Sequence, residues 1–191
     1  MPTLPAEIWT QILVHVKHYR TLESCALVNR QFNSILSGKH FDDVLFRLPT
    51  TLDTVKATTT ISTAIGERKI KLHPFLLSLH SYCHCDRAFH VDTLLIRQAY
   101  RSDATPFSES SFGPRSAVWP PTTDLIVSEM AHDWMGKNFV RLGRSAGVTV
   151  LDVMEAFAIV GMKAGGQILS CVKISEYGLK DGRLVLYGHY A

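Results

Sequence analysis

Residues 4–36 read LPAEIWTQILVHVKHYRTLESCALVNRQFNSIL and predict three short amphipathic helices. The first helix is indicated by apolar residues at steps of one, three and four, namely Ile8, Trp9, Ile12, Leu13 and Val16. Pro5 suits the first helical position, because the N–H at that position has no partner within a helix. Glu7 falls in the same turn, where the helix dipole favours a negative charge.

A polar break at residues 17–20 separates the first helix from the second, which Thr21 can cap. The second helix carries the apolar residues Leu22, Cys25, Ala26 and Leu27. The third helix is indicated by an apolar stripe of Leu27, Val28, Phe32, Ile35 and Leu36. Gly38 is a natural end for the third helix. Three helices of this length cannot bury all of this apolar surface among themselves.

We therefore expect an exposed apolar patch, and such a patch usually indicates a protein partner. The residues expected to be left over come from the following set: Leu4, Pro5, Ile8, Trp9 and Leu13.

The same positions resemble an F-box, the module that docks on Skp1 in SCF-type ubiquitin ligases. The matching residues are Leu4-Pro5-x-Glu7-Ile8, Ile12-Leu13, Leu22 and Leu27-Val28-x-Arg30-x-Phe32. Arg20-Thr21 stands where the family usually has an acidic or polar residue before the second helix. The resemblance implies an F-box and Skp1-binding set made of Leu4, Pro5, Ile8, Ile12, Leu13, Val16, Leu22, Leu27, Val28, Arg30 and Phe32.

The resemblance further implies an adaptor that docks on Skp1, reaches cullin through it, and recruits a client protein for ubiquitination. Such an adaptor catalyses nothing itself. Two alternatives stay open. One is a Skp1-binding or other scaffold without ligase activity, and the other is a small metal-binding or enzymatic domain.

Composition, charge and cysteine usage argue against several other classes of protein. The 191 residues are 46% hydrophobic and 19% charged, which is typical of a globular chain. No apolar run reaches the roughly 18 residues of a membrane span, and no signal peptide is visible, so we expect neither a membrane partner nor secretion. The four cysteines suggest no disulfide framework, which favours the cytoplasm or nucleus. A net charge of +3 is too small to indicate nucleic-acid binding.

The predicted architecture is α+β, with a helical F-box module at 1–48, a threonine-rich linker at 49–68 and an α+β domain at 69–191. The linker is expected to be solvated, and its β-branched residues favour an edge strand. The last domain is expected to hold a small mixed, mostly antiparallel sheet and one main helix. No internal repeat is visible, which argues against leucine-rich-repeat and propeller domains.

Local signals place several elements of that domain. Residues 88–96 and 125–127 read as strands. Thr149 and Asp152 form a capping box before a helix that should end at Gly161. Asp181-Gly182 between two apolar runs predicts a hairpin.

Residues 102–124 contain four prolines and read as a long surface loop. Its aromatic residues, Phe107, Phe112 and Trp119, are either anchors for a client protein or a lid folded onto the core. The basic residues Lys137, Arg141 and Arg144 read as a solvated face.

The segment 80–86 raises the question of a metal site, because His80, Cys83 and Cys85 lie close together. The single residue between the cysteines is a tighter spacing than the usual gap of two to four residues in zinc motifs, and no second Cys/His pair follows. No nucleophile signature surrounds any cysteine, and no phosphate loop precedes a helix. We therefore predict no catalytic residue, no metal and no cofactor.

Three short segments are also similar to landmarks of a large set of uncharacterised basidiomycete fungal proteins. They are Leu72–Leu76, Asp103–Pro106 and Val148–Val153. This second resemblance implies no chemistry.

Overall fold

A computed structural model describes residues 4–49, 54–67, 69–77, 83–84, 95–96, 105–106, 113–129, 138–163 and 172–190. The chain divides into two compact units, Met1–Arg47 and Leu48–Ala191. Helices and strands occur together, which confirms the α+β class. The predicted boundaries near residues 48 and 68 stay predictions.

The first unit contains the three helices that the apolar stripes predict. They are α1 (Ala6–Leu13), α2 (Tyr19–Val28) and α3 (Arg30–Leu36), followed by a short 3-10 helix at Lys39–Phe41. Helix α3 packs against both α1 and α2. Its pairing with two neighbours makes α3 the central helix of the unit.

The helix ends differ from prediction by a few residues. Pro5 lies just before α1, with ψ at 151°, and its carbonyl accepts the Trp9 N–H at 3.2 Å. Helix α2 starts before Thr21, whose hydroxyl instead contacts His18 Nδ1 at 3.0 Å. Gly38 does not adopt a left-handed conformation, since its φ is −68°. Neither α1 nor α2 has a side-chain cap at its first turn.

Asn29 separates α2 from α3 and was not predicted to do so. Its backbone is extended, with φ −160° and ψ 169°, and its side-chain oxygen accepts the Phe32 N–H at 2.8 Å. This is a helix N-cap of the usual kind. One apolar run, Leu27-Val28, therefore ends α2 instead of continuing into α3.

The core of the first unit takes Leu13 and the partly buried Trp9 from α1 and its other residues from the later segments. Leu22 and Leu36 are fully buried, and Tyr19 donates a 2.6 Å hydrogen bond to Glu23. Trp9 and Phe32 meet edge to face, with ring centroids 4.8 Å apart. The remaining core residues are Phe41, Val44, Leu45 and Phe46.

The second unit alternates short strands with three helices among its described residues. Its elements are α4 (Thr54–Gly66), β1 (Lys71–Leu72), α5 (Pro74–Leu77), β2 (Cys83–His84), β3 (Leu95–Ile96), β4 (Thr105–Pro106), β5 (Val118–Trp119), β6 (Asp124–Glu129), β7 (Phe139–Gly143), α6 (Val150–Lys163), β8 (Val172–Lys180) and β9 (Arg183–Tyr190).

Helix α4 occupies the threonine-rich segment, where we expected a solvated linker with an edge strand. The edge strand is wrong, because α4 spans 13 residues of this segment. Within the described part of the predicted domain at 69–191, α6 with 14 residues is the main helix, and α5 has only four. Ile61 and Ala64 of α4 are buried in the core that the sheet shares with α6. Burial of this face outweighs the weak preference of threonine for extended structure.

The main sheet has four strands in the order β7-β6-β9-β8. The pairs β6–β7 and β8–β9 are antiparallel, and β6–β9 is parallel, so the sheet is mixed and mostly antiparallel. Leu125 lies opposite Leu142 on one side and Leu184 on the other. These residues, with Val127 and Leu186, belong to the hydrophobic core, in which α6 packs on β6 and β7 and α4 packs on β9.

Two further groups of strands are short. Strands β1 and β5 pair with each other, and β2, β3 and β4 form a separate three-stranded group. Strand β3 is the described part of the strand predicted at 88–96. Strands β4 and β5 fall within the predicted loop 102–124, so that segment is not a loop throughout. Lys137 of the predicted basic face lies outside the described residues.

The two strongest local predictions are confirmed. The Thr149 hydroxyl accepts the Asp152 N–H at 3.1 Å, and the Asp152 carboxylate accepts the Thr149 N–H at 2.9 Å. Helix α6 continues to Lys163, two residues beyond the predicted end. The hairpin turns at Asp181 and Gly182, whose φ angles of 50° and 73° are those of a type I′ turn.

Candidate partner interface

Helix α1 presents a row of apolar side chains to solvent. Leu4, Ile8 and Ile12 are 45%, 40% and 45% exposed. Residues four positions apart lie on the same face of a helix, so Ile8 and Ile12 are neighbours and Leu4 precedes them on that side. Leu13, by contrast, is buried and belongs to the core. The stripe predicted for α1 therefore divides into a solvent-facing row and a core-facing residue.

The C-terminal end of α2 adds a second exposed apolar group. Leu27 is 87% exposed and Val28 is 66% exposed. Both lie just before Asn29, where the chain leaves the helix. Apolar periodicity predicts that these two residues are helical, but it does not predict that they face water.

Apolar exposure is concentrated in the first unit. Seven large hydrophobic side chains are exposed in the described part of the chain, and five of them lie in the first unit. The other two are Leu77 on α5 and Phe139 on β7. Exposed apolar side chains in such number on a small folded unit are typical of a protein-docking surface.

The structure separates the residues of the predicted F-box set by burial. Leu13 and Leu22 are buried, and Val16 and Phe32 are half-buried. The members that face solvent are Leu4, Pro5, Ile8, Ile12, Leu27, Val28 and Arg30. The expected leftover apolar surface is confirmed for Leu4, Pro5 and Ile8.

Trp119 is the one aromatic residue of the predicted client-contact set that the structure describes; Phe107 and Phe112 lie outside the described residues. Trp119 is half-buried on β5 and pairs with Lys71 of β1. Together with Pro120 it lines an open groove of about 640 Å³. It is therefore part of a sheet and of a concave surface, whereas the sequence suggested an exposed loop or a lid.

The predicted basic face is tied into ion pairs. Arg141 and Arg183 both donate to the Asp124 carboxylate at 2.7 Å, which links β7, β6 and β9. Burial alone would raise the pKa of Asp124, but hydrogen bonds from the two guanidinium groups and their charges outweigh it and lower the pKa. Arg144 donates to Asp152 at 2.6 Å and so supports the cap of α6.

His73 is a fully buried histidine whose surroundings shift its pKa. Burial and the nearby positive charge of Arg115 lower the pKa of His73 to about 4. Its Nδ1 accepts the Phe75 N–H at 3.2 Å, which requires a neutral ring nitrogen. The imidazole is therefore uncharged at neutral pH and acts as part of the core.

The cysteine and histidine segment is described only at Cys83 and His84, which lie on β2. His80, Cys85 and Cys171 lie outside the described residues. Within the described ranges, no three His, Cys, Asp or Glu side chains are grouped closely enough to hold a metal ion. The absence of a metal and of a cofactor stays a prediction.

No protein-family model, curated protein or solved structure matches this chain. Among the helices that the structure describes, none has the length and apolar character that crossing a bilayer requires.

Proposed function

We propose that this protein is an F-box adaptor that docks on Skp1, joins a cullin through it, and recruits a client protein for ubiquitination. The supporting observation is the row of exposed apolar side chains on a folded three-helix unit. The exposed residues are among those that carry the resemblance to the F-box: Leu4 just before α1, Ile8 and Ile12 on α1, and Leu27 and Val28 on α2.

The separation of buried from exposed apolar residues within the first unit supports a docking role. Leu22 and Leu36 are fully buried and hold the helices together. Leu27 contributes little to that core, because folding leaves 87% of it exposed, and Ile8 remains 40% exposed. Apolar side chains that folding does not use are stabilising only when a partner covers them.

The proposed mechanism is one of positioning. The first unit would hold the protein on Skp1, and the α+β unit would bind the client. Ubiquitin transfer would then gain from the high effective concentration of the client near the charged E2 enzyme. No group of this chain would take part in the chemistry.

Co-expression with Skp1 followed by size-exclusion chromatography tests the proposal. We expect a one-to-one complex with the native protein and none with the double variant Leu4→Ala/Ile8→Ala. Leu77→Ala is the matched control, because it removes a leucine side chain that is 61% exposed in the second unit. Circular dichroism of each variant checks that the protein remains folded.

A double variant that is folded and still binds Skp1 would contradict the proposed interface. Adding cullin to the purified complex separates the adaptor from a scaffold. Recruitment of cullin is expected for the adaptor, and a Skp1 complex that excludes cullin would indicate the scaffold.

A further inference from the structure

The solvent face of α2 carries an apolar pair that lies between two arginines in the chain. Leu27 and Val28 are 87% and 66% exposed at the C-terminal end of the helix, and Arg20 is exposed two turns earlier. Residues seven positions apart return to nearly the same side of a helix, so Arg20 and Leu27 share one face. Arg30, which is also exposed, follows Val28 by two residues. An arginine therefore precedes the exposed apolar pair and another follows it.

The opposite side of α2 faces the core of the first unit. Leu22 lies about 200° around the helix from Arg20 and is fully buried. Tyr19 is buried as well, and its hydroxyl donates to the carboxylate of Glu23, the acidic residue of this helix, at 2.6 Å. The face that carries Arg20 and Leu27 is therefore the side of α2 that packing within the first unit leaves in water.

Neither arginine stabilises the helix that contains it. Arg20 lies in the first turn of α2, and Arg30 is the first residue of α3. The helix dipole disfavours a positive charge at that end, and neither first turn holds an acidic residue that would offset it. In the part of the chain that the structure describes, neither guanidinium belongs to an ion pair. Two exposed positive charges therefore stand beside the apolar pair without a carboxylate to balance them.

A partner that covers the apolar pair must also accommodate these two charges. Removing a guanidinium from water is costly unless a group of opposite charge meets it. A carboxylate is suited to this, because it can accept two parallel hydrogen bonds from one guanidinium. Two aliphatic side chains are a smaller apolar face than amphipathic helices use to enter a membrane surface, which favours a protein partner.

We propose that the partner surface that covers Leu27 and Val28 is an apolar depression bordered by carboxylates, which pair with Arg20 and Arg30. The inference rests on the proposed function, in which the partner is Skp1, and it adds the charge of the surface that Skp1 presents here. Burial of the apolar pair would hold the complex together. The arginines would orient the two proteins and speed their encounter.

Association and dissociation rates on immobilised Skp1, measured by surface plasmon resonance with the full chain, test this inference. Arg20→Glu/Arg30→Glu should lower the association rate constant about tenfold at low salt, because charges at the edge of an interface act mainly on encounter. The difference from the native chain should shrink as the ionic strength rises to about 0.5 M. Leu27→Ala should act instead mainly on the dissociation rate constant.

The double variant Lys39→Glu/Lys69→Glu is the matched control. It makes the same change in net charge at two exposed lysines that lie outside α2 and α3, and its association rate should stay within about twofold of the native value. Glutamate in the first turn of a helix is favourable, so the arginine variant is expected to fold, and circular dichroism checks this.

Equal association rates for the native chain and the folded arginine variant would overturn the inference and leave the Skp1 complex standing. A control variant that is slowed as much as the arginine variant would also overturn it, because net charge alone would then explain the effect. A native chain that does not bind Skp1 would refute the adaptor function and, with it, this assignment. Vesicles of phosphatidylcholine and phosphatidylserine test the alternative occupant. Binding to them by the native chain and not by the arginine variant would assign the surface to lipid headgroups.

Discussion

Leu27 offers a quantitative test of the proposed Skp1 interface, because folding leaves its side chain 87% exposed. An exposed residue contributes little to folding, so Leu27→Ala should change the free energy of unfolding by no more than about 0.5 kcal/mol. A larger effect on Skp1 binding must then arise in the complex.

The expected loss of affinity follows from the apolar surface that Skp1 would cover. Alanine lacks three carbon atoms of leucine, and burial contributes about 0.8 kcal/mol for each, or about 2.4 kcal/mol in total. Because 87% of the side chain is exposed before binding, about 2 kcal/mol is available to the interface. The dissociation constant of the Skp1 complex should therefore rise about 30-fold.

Two other leucines are matched controls for this variant. Leu22 is fully buried in the same helix, so Leu22→Ala should lower the free energy of unfolding by about 2–5 kcal/mol. Leu77→Ala should change neither stability nor Skp1 affinity. Calorimetry gives the dissociation constants, and urea unfolding followed by circular dichroism gives the stabilities. A folded Leu27→Ala protein with unchanged affinity for Skp1 would refute the reasoning.

Three further predictions concern stability. Asn29→Ala removes the N-cap of α3 and should destabilise the protein by about 1 kcal/mol in urea unfolding. Asn29→Asp should retain most of the stabilisation by the cap, because aspartate also accepts the N–H of the first turn. Asp152→Ala removes both the cap of α6 and the Arg144 contact, and we expect a loss of about 1–3 kcal/mol by the same measurement. His73 has a folded pKa of about 4, below the ordinary 6.5, so the unfolded chain binds a proton more readily. The protein should therefore be fully stabilised by the neutral imidazole above pH 6.5 and lose about 3 kcal/mol as the pH falls to 4. Unfolding free energies that decline equally in His73→Gln over this range would contradict the assignment to His73.

Local sequence signals predict the elements that local interactions stabilise. The capping box at Thr149 and Asp152 and the turn at Asp181 and Gly182 each depend on residues within three positions of one another. The three N-terminal helices are predicted for the same reason, since apolar periodicity is a short-range pattern.

Elements that depend on distant contacts could not be predicted from those signals. Threonine-rich α4 is a helix because Ile61 and Ala64 are buried in a core whose other members lie far along the chain. The parallel pairing of Leu125 with Leu184 likewise has no local signature.

Local sequence signals also do not predict which residues of the candidate interface are exposed. Periodicity predicts that Leu13 and Leu27 lie on helices, but it does not distinguish Leu13, which is buried, from Leu27, which is exposed. The exposed end of α2 follows from the Asn29 cap, which interrupts an apolar run that the sequence pattern assigns to the next helix.

The position of β9 between β6 and β8 sets the order in which the protein can fold as it is synthesised. The last residue of β6 is Glu129 and the first of β9 is Arg183, so 54 residues (183 minus 129) must be added before the two strands can pair. At usual elongation rates this takes about 3–10 s, during which β6 lacks one of its two neighbours. The first unit depends only on nearby contacts and can form earlier. A nascent chain would thus present its proposed Skp1 surface while the main sheet of the second unit is still incomplete.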